Sequence, residues 1–362
     1  MKLKQSKMLV VLLMVVLMIA GCSNSGDTGS SKGFVGISMP TQSAERWISD
    51  GSNMVKILEE LGYSTDLQYA EDVVEDQVSQ IENMITKGVD VLVIAAVDGS
   101  ALTDVLAKAN EEGIRVIAYD RLLMNSEYVD YYATFDNYSV GVLQANFIID
   151  SLDLENTDET FNIELFGGSP DDNNSLFFWD GAIDTLKPYF EDGTLVVASG
   201  QTEFNQAATL RWDGATAQTR MDNILNAHYS TGKTVDVVLS PYDPISLGVI
   251  ESLKAIGYGT DELPLPLVTG QDATEAGVKS IIAGEQSQTV FKDTRKLAEK
   301  AAEMVQSLLE GTEVEINDTE TYDNGAKIVP SYLLVPQSVD ISNFREILID
   351  SGYFTAADLG LE

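Results

Sequence analysis

Val89-Asp-Val-Leu-Val-Ile-Ala95 is apolar at six of its seven positions. A strand with one face in water alternates apolar and polar side chains; one covered on both faces does not. This run therefore reads as an inner strand of a parallel sheet with helices on either side. Its neighbours agree. Asp76 to Lys87 is helical in pattern and is closed by Gly88; Ala101 to Asn110 is a helix ended by Gly113; Ile114 to Ala118 is the next strand. Further upstream, Phe34 to Ser38 and Thr65 to Tyr69 are strands around a helix over Ser43 to Leu61, with Ile48, Val55, Ile57, Leu58 and Leu61 as its apolar positions.

Downstream the cycle repeats. Strands are expected at Tyr131–Phe135, Phe161–Phe166, Leu195–Ala198, Val235–Leu239, Leu267–Thr269 and Gln288–Phe291, with helices over Ala273–Ala283 and Thr294–Leu309. Alternating βα units predict an α/β fold of doubly wound parallel sheets, and two runs of similar length predict two similar lobes. The length of 362 residues fits two or three domains.

Composition removes whole classes of function. Twenty-two Lys and Arg face 57 Asp and Glu, a formal charge of −35. Such a surface repels phosphate backbones and predicts no nucleic-acid partner. One cysteine and one histidine leave no disulfide framework, almost no zinc site and no Ser–His or Cys–His pair without His228, which reads as a solvated or capping residue at a helix end. Gly232-Lys-Thr234 lacks the first glycine of a phosphate-binding loop, because Ala227 stands there.

The N-terminus reads as an address. Lys2, Lys4 and Lys7 precede thirteen unbroken apolar residues, Met8 to Ala20, too few to span a bilayer as a helix. Ala20-Gly21-Cys22 resembles the lipobox of bacterial lipoproteins, which implies cleavage after residue 21 and lipidation of Cys22. Residues 22–32 are a Gly/Ser-rich flexible tether. Losing the leader takes the charge from −35 to −38, since it carries three lysines and no acid.

Ligands of open α/β sheets bind at the carboxyl ends of the strands. The residues there are Pro40 to Trp47, Asp98, Asp120-Arg121, Asp171 to Asn174, Asp243 and Gln271-Asp272. Asp, Asn and Arg form planar, multiply bonded contacts that match adjacent sugar hydroxyls, and Trp offers a flat face to a ring. Arg46-Trp47 and Arg211-Trp212 combine both features; the alternative is a core tryptophan beside a surface arginine.

These stretches carry a resemblance. MPTQSAERW at 39–47, VLVIAAVDG at 91–99, VIAYDRL at 116–122, YYATFDN at 131–137, NIELFGGSPDDNN at 162–174, TLRWDGATAQ at 209–218, VLSPYDP at 238–244, TGQDA at 269–273 and QTVFKDT at 288–294 are similar to the periplasmic sugar-binding proteins of the type I substrate-binding fold. The similarity is greatest to the xylose-binding and multiple-monosaccharide-binding branch and covers nearly everything after the tether. It implies sugar contacts from Arg46, Trp47, Asp98, Asp172, Asn174, Arg211, Trp212, Asp272 and Lys292. Asp120 either contacts sugar or braces the hinge. Tyr242-Asp243 departs from an Asn-Asp pair of the relatives, with Asp243 expected in the site. Phe177 and Phe178 are either a second stacking wall or helix core.

The resemblance also implies a hinge of three crossings, placed near 121–123, 270–273 and 326–329. The N-terminal lobe would be 33–121 plus 273–326, and the C-terminal lobe 122–272 plus 327–362. The expected protein is a monomeric, lipid-anchored, extracytoplasmic binding protein. It would close on a monosaccharide such as galactose, arabinose, xylose or glucose and deliver it to the permease of an ABC importer, with no cofactor, no metal and no catalysis. The competing readings are a sugar receptor for a chemosensory protein, and a glycosidase using two of Asp98, Asp172, Asp243 and Asp272. A DNA-binding regulator of the same fold would need a helix-turn-helix and a basic face, both missing from this sequence.

Overall fold

In the computed structural model, residues 31–230 and 232–361 are described. The leader, Cys22 and most of the tether lie outside them. Among the described residues no helix is long and apolar enough to cross a membrane.

Strands β1 (Phe34–Met39), β2 (Ser64–Tyr69), β3 (Val91–Ile94), β4 (Arg115–Tyr119), β5 (Tyr131–Phe135) and β11 (Ser331–Leu334) form one parallel sheet in the order β11-β5-β4-β3-β1-β2. Helices α1 (Glu45–Glu60), α2 (Val74–Lys87), α3 (Thr103–Glu111) and α10 (Thr294–Glu310) cover it. The strand that decided the reading behaves as its composition requires: all four residues of β3 are fully buried. Val91 and Val93 point into a core with α1 and α10, while Leu92 and Ile94 point into a second core with α2 and α3. Each such side chain contributes about 1.5–3 kcal/mol on burial. Gly88 closes α2 at φ 78°, the left-handed cap expected there.

The second sheet repeats the plan. β6 (Phe161–Leu165), β7 (Leu195–Val196), β8 (Val237–Leu239) and β9 (Leu267–Val268) lie in the order β7-β6-β8-β9, all parallel. Helices α4 (Asn137–Leu152), α5 (Asn174–Glu191), α7 (Gly214–His228), α8 (Asp243–Ala255) and α9 (Glu275–Ile282) belong to this half; α6 (Phe204–Ala207) is one turn. β10 (Gln288–Phe291) pairs antiparallel with β12 (Gln337–Asp340) and joins the second sheet through a Gln271–Val290 bridge. α4 and α5 touch so closely that a Cβ on Gly141 would lie 2.0 Å from the Phe178 carbonyl, and one on Gly181 would lie 2.1 Å from that of Tyr138.

Every expected strand forms, with ends moved by a few residues, but the crossings move. β5 pairs with β4, and Leu122, Leu123 and Val129 are buried in the core of the first sheet, so the chain stays in the first lobe well past Arg121. Ala273 and Val278 pack with Phe291 and Val339 in the second lobe. The chain changes lobe between β5 and α4, between β10 and α10, and between β11 and β12. The lobes are therefore 33–135 with 294–334, and 136–293 with 335–361, in place of the expected boundaries. Ile48 also departs from its expected burial: the inner stripe of α1 is Trp47, Gly51, Met54 and Leu58, and Ile48 is exposed.

Candidate functional site

The strand exits of both sheets meet at a cavity of about 300 Å³, a volume at the small end of ligand sites. From the first lobe come Thr41, Ser43, Arg46 and Trp47 after β1, Asp72 after β2, and Asp120-Arg121 after β4. From the second come Asp172 and Asn174 after β6, Tyr242 and Pro244 after β8, Gln271 and Asp272 after β9, and Lys292 after β10. Phe178 on α5 and the turn carrying Arg211 and Trp212 complete the wall. Asp120, Asp272, Arg211 and Trp212 all have positive φ, at 58°, 83°, 57° and 57°. Such left-handed residues are costly and persist where the surroundings impose them.

Arg46 is the centre of the charge network. Its Nε lies 3.1 Å from Asp50, its Nη2 2.9 Å from Asp120 and its Nη1 3.5 Å from Asp272. Lys292 Nζ lies 3.1 Å from Asp272 and 4.0 Å from Asp120. Arg121 Nε lies 3.2 Å from Asp172, and its Nη1 donates to the Ala96 carbonyl at 2.9 Å. Beneath Arg46, Asp50 also accepts from the Tyr119 hydroxyl. Three cations thus face four carboxylates in a buried space, so most of the charge is compensated within the protein.

Burial works against ionisation throughout, and the neighbours decide the outcome. Burial disfavours the Arg46 cation, but Asp120, Asp50 and Asp272 outweigh it and hold the guanidinium charged. Burial pushes Asp120 up, yet Arg46 and Lys292 leave it below the usual carboxylate range. Asp50 is pushed up to about 6 by burial, only partly offset by Arg46. Burial also raises Asp172 against the pull of Arg121.

Trp212 presents the aromatic face. Its ring meets Tyr242 edge-on at 5.8 Å and Phe178 at 6.1 Å. Gly168 leaves the space it occupies, since a Cβ there would lie 2.0 Å from the indole. Trp47 combines the two readings open to it. It borders the cavity, is 4% exposed and packs in the first core, with the guanidinium carbons of Arg46 and Arg121 at 4.3 and 5.2 Å from its ring. Of the phenylalanines, Phe178 lines the cavity, and Phe177 packs against Tyr322 at 5.0 Å.

Nine of the eleven expected contact residues border this cavity: Arg46, Trp47, Asp120, Asp172, Asn174, Arg211, Trp212, Asp272 and Lys292. Two do not. Asp98 turns back on its own loop and accepts from the Ser100 amide at 2.8 Å. Asp243 is fully buried behind the wall, accepting from Thr274 N at 2.8 Å and Gln286 Nε2 at 2.8 Å. Asn174 borders the cavity while its amide is already engaged, donating to the Asp120 carbonyl at 2.6 Å and accepting from Tyr132 at 3.0 Å. Asp120 also remains inside the first lobe, away from the crossings. Cavity residues not singled out from sequence include Asp72 in the loop after β2, Asp213, which caps α7, and Pro244 in the first turn of α8; beneath Arg46 lies Asp50, whose signal was its place one helical turn later.

Carboxylates accept hydroxyl protons, guanidinium and ammonium groups donate to hydroxyl oxygens, and an indole covers a ring face. Gln271 adds a buried carbonyl oxygen with no partner. The arrangement suits a neutral, polyhydroxylated ring. Among the described residues no group of His, Cys, Asp and Glu is placed to hold a metal ion.

Comparison with known proteins gives the same picture. The family described as periplasmic binding protein domain matches residues 35–313. The multiple sugar-binding periplasmic receptor ChvE of Rhizobium radiobacter is 59% identical over 330 residues, covering 91% of this chain and 93% of the relative. The D-xylose-binding periplasmic protein of Escherichia coli is 36% identical, covering 90% of this chain and 92% of its own. An ABC transporter solute binding protein from Clostridium phytofermentans, solved with bound β-D-glucose, superposes with a TM-score of 0.86 at 50% identity, covering 90% of this chain and 99% of its own.

Proposed function

The chain belongs to the periplasmic binding protein domain family, and from that premise we propose that it captures a monosaccharide between its lobes and delivers it to an ABC importer. The observation that carries the reading is the cavity of about 300 Å³, in which the cations Arg46 and Lys292 and the carboxylates Asp120 and Asp272 are held together beside Trp212. The names of its relatives, receptors and binding proteins for sugars, support capture without catalysis. Aldoses are the substrate class, with glucose and xylose foremost because relatives are named or solved with them.

The lipobox-like Ala20-Gly21-Cys22 supports a chain tethered by lipid to the outer face of a membrane. The ligand presents itself to the permease when the lobes close, since a bound sugar shifts the open–closed equilibrium. A role as receptor for a signalling protein is the second reading, favoured by the designation of a 59% identical relative as a receptor. A thermal-shift screen against free aldoses, uronates and polyols tests the substrate class: a ligand that binds only the folded state raises the melting temperature. No shift with any aldose would overturn the proposal.

A further inference from the structure

The turn that presents Asp272 to Arg46 and Lys292 is an unfavourable one. φ is 83° at Asp272 and 44° at Ala273, a region that L residues rarely occupy unless the surroundings impose it. What imposes it lies behind the cavity. The Asp243 carboxylate accepts from the Thr274 amide at 2.8 Å, from the Thr274 hydroxyl at 3.2 Å and from Gln286 Nε2 at 2.8 Å. Thr289 Oγ1 accepts from the Ala273 amide at 3.1 Å and turns its own proton to the same carboxylate. The fold makes room for this group from two sides: a Cβ on Gly270 would lie 2.2 Å from Asp243 Oδ1, and one on Gly277 2.3 Å from Oδ2.

We infer that Asp243 is a positioning residue for the ligand site, a buried anion that shapes residues 270–274 so that the Asp272 carboxylate faces Arg46 and Lys292. The inference rests on the sugar-binding reading of the cleft. It explains why an acid stands where no cation is hydrogen-bonded to it. The groups that face it are donors: one backbone N–H, two hydroxyls and one amide NH2. An ionised carboxylate accepts from all of them at once, whereas an asparagine or a protonated acid would turn a proton toward one.

The charged surroundings sharpen the test. From the start of α8 Tyr242 faces this region, from the 271–274 turn Asp272 does, and from β10 and the residues before it come the uncharged Thr289 and Gln286. Burial pushes the Asp243 carboxyl up to about 7, the donors pull it down and Asp272 adds to the rise. Acidification therefore removes the brace while relieving a buried charge. Affinity and stability should move in opposite directions, which a merely structural residue would not produce.

The experiment titrates the full mature chain and Asp243→Asn with D-glucose and D-xylose by calorimetry from about pH 5 to about pH 8, and follows hydrogen exchange at the Thr274 amide. Wild-type affinity is expected to fall about five- to a hundredfold on acidification through pH 7, the range for one unsatisfied buried group. Asp243→Asn is expected to be weaker by a similar factor at high pH and to lose the part of the profile centred near 7. Its ligand-free melting temperature should be maintained, and its Thr274 amide should exchange faster. Wild-type affinity for the sugar, with a protected Thr274 amide in the variant, overturns the assignment; so does an affinity loss matched by an equal loss of stability. If the variant does not fold, the wild-type profile and its Thr274 exchange decide. If the wild type binds neither sugar, the glucose and xylose preference fails, and the Thr274 amide still reports whether Asp243 holds the turn.

Discussion

Arg46 Nη1 lies 3.5 Å from Asp272 Oδ2, and the two residues belong to different lobes. Arg46 stands on α1 of the first lobe, and Asp272 follows β9 of the second, so the pair spans the cleft. Removing the Asp272 carboxylate takes away the Nη1 partner of Arg46 and the nearer partner of Lys292 Nζ, which is left with Asp120 at 4.0 Å. Asp272→Ala is expected to weaken sugar binding at least about tenfold, where tenfold is about 1.4 kcal/mol. Calorimetry at low and high salt is the measurement. Wild-type affinity should depend only weakly on salt, because the ligand is neutral. A steep salt dependence would identify a charged ligand instead.

The two tryptophans should separate. Trp212→Ala removes an aromatic face from the cavity wall and is expected to cost roughly 1–3 kcal/mol of binding with little loss of stability. Trp47 is buried in the first core as well as bordering the cavity. Trp47→Ala should cost both binding and about 3–5 kcal/mol of stability, the range for deleting a buried large aromatic. Melting curves of the empty variants beside their titrations distinguish the two.

Two glycines make a matched test of close packing. Gly168→Ala places a methyl against the Trp212 indole and should displace it, lowering affinity. Gly181→Ala lies on the α4–α5 contact, outside the cavity lining, and should lower the melting temperature through about 1–3 kcal/mol of overpacking. Equal effects on affinity from both would remove Trp212 from the site.

Stability should respond to pH in two phases. Asp50 and Asp243 are raised by burial to about 6 and about 7 in the folded chain, above the 3.8 of the free carboxyl. The folded state therefore holds more protons across that window, and stability falls as pH rises from about 4 to about 7. Asp120 has the opposite sign: its lowered value contributes stability present above the ordinary carboxylate range and lost as pH falls through the folded value. Melting temperature against pH at fixed salt should pass through a maximum on the acid side of neutrality, and Asp50→Asn should flatten its alkaline flank. A curve rising steadily from pH 4 to 7 would contradict this.

If Cys22 is the point of lipid attachment, Cys22→Ala should release the processed chain from the membrane or leave the leader uncleaved, with sugar binding intact. Fractionation and mass measurement decide; normal cleavage with unchanged membrane retention would refute the anchor.

The strands were legible because burial on both faces leaves a compositional mark, as at Val91 to Ile94. Most of the site was legible for a related reason: strand exits can be located once strands can, and their polar residues have few other tasks. The errors share a cause too. Asp98 and Asp243 follow strands as Asp120 and Asp272 do, yet one turns back to Ser100 and the other to Thr274 and Gln286. Residue type and position do not encode which way a short side chain points. The crossings were placed from the resemblance, and no mark in the sequence separates Asp120-Arg121 from a lobe end: Leu122, Leu123 and Val129 beyond it stay in the first core. β11 and β12 went unread because Ser331-Tyr-Leu-Leu334 and Gln337-Ser-Val-Asp340 are four-residue strands whose partners lie far away in sequence.

The place of β11 has a consequence for the order in which the protein can be made. Among the described residues its neighbouring strand in the sheet is β5, which leaves the ribosome almost two hundred residues earlier. Until residue 334 emerges, β5 is an unpaired edge and α10 has only just arrived to cover it, while the four strands β6 to β9 of the second sheet have all been available to pair. The six-stranded sheet begins before the four-stranded one and is completed after it. Such long-range closure is slow and leaves a strand edge open to wrong partners, so a newly made chain of this type gains from help that keeps β5 apart from other chains until its own C-terminal segment returns.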